Sequence, residues 1–328
     1  MHSTTGNAIE VSHLRRTFTS SIGVIKRTTR EIVAVEDVSF AIREGELFGL
    51  LGPNGAGKTT TTKMLTTLLI PTSGSASVKG FDVVTQADEV RRRIGFIFGG
   101  ERGLYWRLSG IDNLRYFASL YSLDPDHTKK RIEYLLDMVG LNGRGDEKVQ
   151  GYSRGMKQRL HVARTLLHNP DILFLDEPTL GLDPVGAREF RQVILNLQSE
   201  KKTILLTTHY MFEADALCDR IAIINHGRII ALDTPSGLKS KVDDMNVVEV
   251  ETFGLPGAIL EKIRRLPFVD ALSVEDHDQK QMLLVQTTRG AEAVPDIMGA
   301  IEGQRVGRVV VREPTLEDAY VRLVGSSA

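Results

Sequence analysis

The stretch Gly52-Pro53-Asn54-Gly55-Ala56-Gly57-Lys58-Thr59-Thr60 decides how the rest of the chain is interpreted. It fills the pattern GxxxxGK[ST] and lies between a short apolar run, Glu46 to Leu51, and a helix predicted from Lys58 to about Leu69. A glycine-rich turn that enters a helix brings backbone N–H groups and the positive end of the helix dipole around a phosphate. We therefore predict a phosphate-binding loop, with Lys58 at the β- and γ-phosphates of a nucleotide and the Thr59 hydroxyl on Mg²⁺.

A second candidate segment, Ile172 to Pro178, ends a predicted buried strand with the carboxylates Asp176 and Glu177. Open α/β sheets bind their ligands at the carboxyl ends of the strands, which is where the phosphate-binding loop also lies. Asp176 is then placed to hold Mg²⁺, and Glu177 to polarise an attacking water. A strand that ends in Asp-Glu-Pro is more often an ordinary polar turn, but its combination with the phosphate-binding loop favours a catalytic role.

Predicted strands and helices alternate along most of the chain, which indicates a mostly parallel sheet. Two N-terminal segments, Ala8 to Phe18 and Val33 to Ile42, alternate apolar and polar residues as half-buried strands do. Helical periodicity fills about residues 100–168, between the two candidate motifs. The predicted fold class is therefore α/β, a nucleotide-binding cassette with N-terminal antiparallel strands and an inserted helical subdomain.

The 328 residues suffice for two domains, since a domain takes roughly 150 residues. Thr234, Pro235, Ser236 and Gly237 interrupt the first pattern, so we predict a nucleotide-binding domain over 1–233, a linker over 234–245 and an accessory domain over 246–328. The predicted order beyond the linker is strand, helix, strand, strand, helix, strand, followed by a helix from Leu316 to Leu323. That order is typical of a small ferredoxin-like α+β domain.

Composition excludes several classes of function. Lys plus Arg (41) nearly cancel Asp plus Glu (42), so the chain lacks the positive excess of a nucleic-acid binder. The single cysteine, Cys218, cannot form an internal disulfide, and we predict that it is a small buried residue of a cytoplasmic protein. No apolar run approaches the ~20 residues of a membrane span, nor is there an N-terminal signal. A transport pathway would therefore have to belong to another chain.

Three further features have an ordinary structural interpretation when each is taken alone. The segment Tyr152-Ser153-Arg154-Gly155-Met156 starts a predicted helix for which Ser153 is a good N-cap. Asp183, just before Pro184, is also a suitable N-cap. His209 follows the predicted strand Thr203 to Thr207, where a histidine would more often be structural.

Taken together and in this order, these segments resemble the ATP-binding cassette (ABC) ATPases, and the resemblance covers about Ala8 to Asp233. It implies a chain that binds and hydrolyses Mg-ATP. It also implies that Ser153 and Gly155 bind the γ-phosphate held by a second cassette, so that a head-to-tail homodimer or heterodimer contains two shared sites. In that family the histidine matched by His209 contacts the γ-phosphate, and the loop matched by Asp183 signals between the sites.

The sequence also departs from the family's pattern. The family's signature usually reads Leu-Ser-Gly-Gly-Gln, so Tyr152, Arg154 and Met156 differ and only Ser153 and Gly155 carry over. Where the family has a glutamine after the strand Ile94 to Phe98, this chain has Gly99-Gly100-Glu101.

Phe18 resembles the aromatic residue that stacks on adenine in ABC ATPases; the alternative is simple packing of an edge strand. Leu104-Tyr105-Trp106 lies where related cassettes receive the coupling helix of a membrane subunit, and equally fits a cap on the helical core. The segment Glu313 to Tyr320 resembles the end of ATPase subunits of daunorubicin-resistance-type exporters, which favours export.

The predicted function is the ATPase subunit of an ABC transporter, an exporter, peripheral to the cytoplasmic face of the cell membrane and powering a separate transmembrane permease. The alternative from another class is a non-transport ABC ATPase acting on DNA or the ribosome. The sequence has neither the long heptad coiled coil nor the second cassette that such proteins carry. A soluble P-loop kinase or nucleotidase would leave Ser153, Gly155 and His209 unexplained.

Overall fold

The computed structural model describes residues 6–22, 28–98, 103–242, 245–277 and 280–325. The chain divides into two compact units, Met1–Leu232 and Asp233–Ala328. In the described part of the chain no helix has the length and apolar character that a membrane span requires.

The first unit is built on a ten-stranded sheet in the order β5-β4-β1-β2-β10-β9-β3-β8-β7-β6. The strands are β1 (Asn7–Ile22), β2 (Thr28–Arg43), β3 (Leu47–Leu51), β4 (Ser73–Val78), β5 (Phe81–Asp82), β6 (Ile94–Ile97), β7 (Ile172–Asp176), β8 (Thr203–Thr208), β9 (Arg220–Asn225) and β10 (Arg228–Asp233). Five neighbouring strands, β9, β3, β8, β7 and β6, run parallel. Strands β5, β4, β1 and β2 pair antiparallel, as the N-terminal alternation predicts.

The parallel strands are mostly apolar, as is typical of strands that are covered on both faces. Every residue of β3, β7 and β8 is buried. Cys218 is also buried, as predicted, and burial raises the pKa of its thiol well above the usual value. The Sγ atom of Cys218 lies close to the Cα of Gly49, where a Cβ would be 2.8 Å away, so the central strand is packed tightly from this side.

Seven helices are seen in the described residues of the first unit: α1 (Lys58–Leu65), α2 (Ala87–Arg93), α3 (Gly110–Leu120), α4 (Pro125–Met138), α5 (Arg154–Thr165), α6 (Pro184–Ser199) and α7 (Met211–Leu217). Helices α3, α4 and α5 lie between β6 and β7, so the helical insertion is where the periodicity predicts it. Helix α1 ends at Leu65, earlier than predicted. Thr67 adopts a left-handed φ of 64°, and the Leu68 N–H donates back to the Lys63 carbonyl at 2.9 Å, which closes the helix.

The second unit contains a four-stranded antiparallel sheet in the order β12-β13-β11-β14. Its elements are α8 (Pro235–Ser240), β11 (Asn246–Thr252), α9 (Gly257–Arg264), β12 (Val269–His277), β13 (Lys280–Thr287), α10 (Val294–Ala300), β14 (Val306–Arg312) and α11 (Leu316–Gly325). This is the predicted ferredoxin-like arrangement. Helix α8 lies inside the predicted linker; the Thr234 hydroxyl accepts the Gly237 N–H, and Pro235 occupies the first turn.

Candidate functional site

The phosphate-binding loop joins β3 to α1 along a path that needs glycine at two positions. A Cβ on Gly52 would overlap the carbonyl oxygen of Ile224 on β9, and one on Gly57 would lie 2.7 Å from the carbonyl oxygen of Ala34 on β2. Gly57 is the N-cap of α1 and has a φ of 109°, which residues with a side chain rarely adopt. The loop therefore lies directly against both strands, and the N-terminus of α1 opens onto it.

The side chain of Lys58 curls back into this loop. Its ammonium donates to the carbonyl oxygen of Gly52 at 2.6 Å and to that of Pro53 at 3.1 Å, and the residue is only 5% exposed. Its Nζ also lies 3.2 Å from Oε1 of Glu177. The charged end of Lys58 is thus held at the centre of the loop, where a phosphate would meet it.

Asp176, at the end of β7, is the buried carboxylate of the site. Its Oδ2 accepts a hydrogen bond from the Thr59 hydroxyl at 2.8 Å, and its Oδ1 accepts one from the Thr207 hydroxyl at 2.5 Å. The structure therefore brings together Thr59 and Asp176, the two predicted Mg²⁺ ligands. A carboxylate beside a hydroxyl is a hard oxygen donor set of the kind that holds Mg²⁺ together with substrate phosphates, so the residues fit that ion.

Glu177 connects the phosphate-binding loop with His209. Its two carboxylate oxygens face different cationic or polar groups, Oε1 toward Lys58 and Oε2 at 2.8 Å from Nδ1 of His209. The Glu177 N–H donates to the Thr207 carbonyl at 3.0 Å and approaches the Thr207 hydroxyl at 3.1 Å. The φ of Glu177 is 48°, a left-handed value that a residue with a side chain keeps only when its surroundings fix it.

Thr207 belongs to this site although sequence reasoning missed it. It is fully buried at the end of β8, the strand next to β7, and contacts both Asp176 and Glu177. The available signal was its position, because a hydroxyl at the carboxyl end of a neighbouring parallel strand lies at the same edge of the sheet. Glu213 on α7 is a further buried carboxyl group; it is 2% exposed, and burial raises its pKa.

The remaining predicted site residues lie apart from the loop. Ser153 caps α5, accepting the Met156 N–H at 3.2 Å, and Asp183 is the N-cap residue of α6 without a side-chain capping bond. Among the described residues, no hydrogen bond or ion pair joins Ser153, Gly155 or Asp183 to the phosphate-binding loop. Ser153 and Asp183 are exposed, whereas Gly155 is buried.

Phe18 lies on β1 opposite Ile32 of β2 and is 38% exposed. The guanidinium carbon of Arg16 is 4.6 Å from the centroid of the Phe18 ring, so a cation covers part of the ring. Both interpretations of Phe18, adenine stacking and edge packing, fit this partial exposure.

The aromatic segment is divided between the core and the surface. Leu104 is buried, whereas Tyr105 and Trp106 are about half exposed. Tyr105 packs against Tyr116 at 4.8 Å between ring centroids, and Nζ of Lys157 lies 5.1 Å from the Trp106 ring. The Gly99-Gly100-Glu101 segment, where the family has its glutamine, lies outside the described residues.

Comparison with known sequences identifies the family of this chain. The sequence model of the family described as ABC transporter matches residues 35–180. The chain is 44% identical over 219 residues to the ABC transporter ATP-binding protein NatA of Bacillus subtilis, covering 66% of this chain and 89% of the relative. It is 39% identical over 298 residues to the daunorubicin resistance ATP-binding protein DrrA2 of Streptomyces coeruleorubidus, covering 89% and 90%.

Solved structures are similar as well. The chain superposes with a TM-score of 0.62 and 25% identity on cbiO1 of Clostridium perfringens, part of an ABC transporter complex, covering 80% of this chain and 96% of that one. It superposes with a TM-score of 0.59 and 26% identity on a dimeric ATP-binding cassette in a post-hydrolysis state, bound to ADP and Pi, covering 69% and 98%.

Proposed function

This chain belongs to the ABC transporter family as an ATP-hydrolysing subunit, and from that premise we propose that it powers an exporter whose membrane pathway is formed by a separate transmembrane permease. The observation that supports a working site most directly is that Thr207 joins two sets of contacts, Lys58–Glu177–His209 and Thr59–Asp176. Lys58 and Thr59 belong to the loop that would hold the triphosphate, and Glu177 and Asp176 contact them.

Within this proposal each side chain has one task. Lys58 and the N-terminal amides of α1 balance the charge of the β- and γ-phosphates. Thr59 and Asp176 hold Mg²⁺, which would neutralise charge that develops on the phosphate oxygens during transfer. Glu177 takes the proton of the attacking water, and His209, 2.8 Å from its Oε2, keeps the carboxylate turned toward the γ-phosphate.

The contact between Glu177 and Lys58 suggests how ATP prepares this site. The Glu177 carboxylate lies 3.2 Å from the buried Lys58 ammonium and balances its charge. A γ-phosphate carries more negative charge and binds the same ammonium, so it displaces Oε1 from Lys58. His209 still holds Oε2, and the freed oxygen can then face water. Binding of ATP in this way sets the general base in place.

Dimerisation is proposed because one chain holds only one half of each shared site. Ser153 is exposed and is not bonded to its own phosphate-binding loop, so a loop and a signature from different chains would have to meet. Large apolar side chains that follow Glu177 or His209 within a few residues of the sequence are exposed to solvent, namely Leu180, Val185, Tyr210 and Phe212. Exposed large apolar side chains favour association with another protein surface.

Two observations support export: the sequence of a C-terminal segment and the names of the relatives. Glu313 to Tyr320 resembles the end of daunorubicin-resistance-type subunits, and a relative matched over 89% of this chain is named a daunorubicin resistance ATP-binding protein. A cytoplasmic-face, peripheral location follows from the need for ATP. The transported molecule would contact the permease, so its chemistry is not specified by this chain.

The proposal is tested first by nucleotide binding and hydrolysis. Lys58→Ala removes the side-chain cation of the loop, so affinity for Mg-ATP measured by calorimetry should fall by about 10- to 100-fold, the scale of charged hydrogen bonds. The protein should stay folded, because the alanine leaves the glycines of the loop in place. Arg265→Ala, an exposed cation of the second unit, serves as the matched control. Unchanged affinity in Lys58→Ala contradicts the assignment of the site.

The partner is tested by purification of the tagged chain from gently solubilised membranes. A hydrophobic polypeptide with about six spans should accompany it. Recovery with ribosomes or DNA instead would favour the non-transport alternative.

A further inference from the structure

Helix α5 contacts helix α6 and the loop after β7 through a row of residue pairs that have no role in the proposed reaction. We call this row the α5 seam; it consists of the pairs Arg154–Gly181, Gly155–Gly186 and Arg159–Glu189. A Cβ on Gly155 would lie 3.5 Å from Cα of Gly186, and Nη2 of Arg159 lies 3.0 Å from Oε2 of Glu189. The seam runs from the start of α5 along its first two turns.

Arg154 extends this seam over the loop itself. A Cβ on Gly181 would lie 2.6 Å from Cζ and 2.8 Å from Nη2 of Arg154, well inside van der Waals contact. Nη1 of Arg154 would be closer still, so the guanidinium occupies the space that a side chain on Gly181 would take and packs beside the Gly181 backbone. Gly181 has a φ of 73° and no side chain, and this leaves the space that the guanidinium fills.

The position of Arg154 is not explained by its charge within this chain. It is the first residue of α5, where a cation opposes the helix dipole at a cost of roughly 0.3–1 kcal/mol. Among the described residues, no hydrogen bond or ion pair involves the Arg154 side chain. Arg154 therefore contacts Gly181 by van der Waals packing of its planar guanidinium against backbone that carries no side chain.

Gly181 is mechanically linked to Glu177 by two overlapping turns. The Leu180 N–H donates to the Glu177 carbonyl at 3.2 Å, and the Leu182 N–H donates to the Thr179 carbonyl at 3.0 Å. Glu177 is held at its own N–H by Thr207 and has a left-handed backbone. A shift of the backbone at Gly181 therefore moves the backbone that positions the Glu177 carboxylate.

We propose that Arg154 is a positioning residue for hydrolysis: its guanidinium holds the loop of residues 177–183 against α5 and so fixes where Glu177 points. This inference rests on the proposed role of Glu177 in hydrolysis. In this inference, the start of α5, which bears Ser153, is held rigidly to the loop that bears Glu177, the general base of the same chain. The contribution of Arg154 comes from its flat shape, so an ammonium group cannot replace it.

The test is steady-state ATP hydrolysis by the full chain with four variants: Arg154→Ala, Arg154→Lys, Gly181→Ala and the double variant Arg154→Ala/Gly181→Ala. A general base displaced by a fraction of an ångström to 1 Å loses rate, so kcat of Arg154→Ala should fall by about 10- to 100-fold. KM for ATP should change less than about twofold, since Arg154 does not contact its own phosphate-binding loop. Arg154→Lys should be as slow as Arg154→Ala.

Gly181→Ala should lower kcat at least as much, because the new methyl group displaces the guanidinium and alanine is strained at a φ of 73°. Only the strain remains when Arg154 is already alanine, so the effect on kcat should then be smaller, and that non-additivity is the signature of a direct contact. Glu189→Gln is the matched control: it removes the last contact of the seam from an exposed carboxylate and should leave kcat near the wild-type value. Melting temperatures of all variants show whether a loss of rate is merely a loss of folded protein.

A wild-type kcat in Arg154→Ala, or additive effects in the double variant, would overturn the inference. Recovery of kcat in Arg154→Lys together with a raised KM in Arg154→Ala would also overturn it, since Arg154 would then act by charge on a bound phosphate. Failure of the proposed role of Glu177 looks different, because Glu177→Gln would then hydrolyse ATP at the wild-type rate.

Discussion

At the scale of single residues, the site is a set of charged side chains that balance one another. Lys58 is 5% exposed and Asp176 is 6% exposed, and a buried charge is tolerated only when it is paired and hydrogen-bonded. Glu177 contributes to that balance through Lys58 at 3.2 Å and through His209 at 2.8 Å. Changes at Glu177 should therefore alter both the chemistry and the affinity of the site.

Glu177→Gln is expected to separate these two effects. The amide keeps the size of the side chain but cannot take a proton from water, so hydrolysis should slow by about 10²-fold or more. The variant also removes a carboxylate that competes with phosphate for Lys58. Affinity for a non-hydrolysable ATP analogue should rise by up to about tenfold, on the order of 1 kcal/mol for a partly exposed ion pair.

Calorimetry with the analogue measures that affinity without interference from turnover. Glu44→Gln, which removes an exposed partner of Lys79, is the control and should change neither quantity. A Glu177→Gln chain that hydrolyses ATP at the wild-type rate would refute the catalytic role.

His161 on α5 gives a prediction about stability and pH. It is 2% exposed, and burial, assisted by the nearby Arg164, lowers the pKa of its imidazole from 6.5 to about 4. Between those two values the unfolded chain binds a proton and the folded chain does not, so folding stability falls as pH drops. His161→Leu should remove this loss, which amounts to about 3 kcal/mol when fully developed.

Urea unfolding of wild type and His161→Leu at pH 7 and pH 4.5 measures the difference. The gap in unfolding free energy between the two proteins should move in favour of the variant at the lower pH. A gap that is the same at both pH values would show that the imidazole is protonated in the folded chain.

At the scale of helices and strands, local sequence patterns predict most elements of both units. The strand, glycine-rich turn and helix around Lys58, the helical insertion and the ferredoxin-like order are confirmed because each leaves a signal within a few neighbouring residues. The end of α1 was predicted too late, since the left-handed Thr67 leaves no such signal. The segment after Thr234 was interpreted as a linker although Thr234-Pro235 is also a helix start.

Few contacts between distant segments can be predicted from the sequence. The bond from Thr59 to Asp176 spans 117 residues, and it is expected only because both residues follow strands that end at the same edge of the sheet. Thr207 and the Arg154–Gly181 contact follow from the register of strands and from helix packing, and no short motif encodes them.

The Glu313 to Tyr320 segment shows how an element can be anchored by one carboxylate. Asp318 is 5% exposed and accepts hydrogen bonds from the Thr315 N–H and hydroxyl, both at 2.7 Å, and from Nη1 of Arg312 at 2.6 Å. Burial opposes ionisation, but these hydrogen bonds outweigh it and lower the pKa of Asp318. Arg312 also bonds Glu249 at 2.5 Å, so α11, β14 and β11 are joined through one network.

Asp318→Ala should therefore destabilise the second unit by about 1–3 kcal/mol, the usual scale of hydrogen bonds to a charged group, since Arg312 keeps its bond to Glu249. Glu317→Ala, on the exposed side of the same helix turn, should cost much less. Differential scanning calorimetry of both variants provides the measurement. Equal melting curves would mean that the network around Arg312 adds nothing to stability.

At the scale of the whole molecule, the first unit holds every residue proposed for nucleotide chemistry. The phosphate-binding loop, Ser153 and His209 all precede Leu232, where that unit ends. The second unit has its own core around residues such as Val248, Val285 and Ile297. The domain division remains a prediction, and it can be tested together with the proposed dimer.

The test uses Glu177→Gln in the full chain and in a chain that ends at Asp233. Because this variant binds ATP but hydrolyses it slowly, each γ-phosphate should persist between the loop of one chain and the Ser153 segment of another. Both lengths should then be dimeric with Mg-ATP and monomeric with Mg-ADP, because the shared sites use residues of the first unit alone. Light scattering coupled to gel filtration measures the mass directly.

The controls separate the possible outcomes. Adding Ser153→Arg to the Glu177→Gln chain places a bulky side chain at the start of α5, away from the bound loop of the same chain. It should abolish the ATP-dependent dimer while leaving ATP binding to the monomer intact. A dimer of the full chain that forms equally with ADP, and is lost on truncation, would assign association to the second unit. A Glu177→Gln chain that binds ATP, hydrolyses it slowly and stays monomeric at both lengths would refute the shared-site dimer, because every group proposed to join the two chains would then be present without joining them.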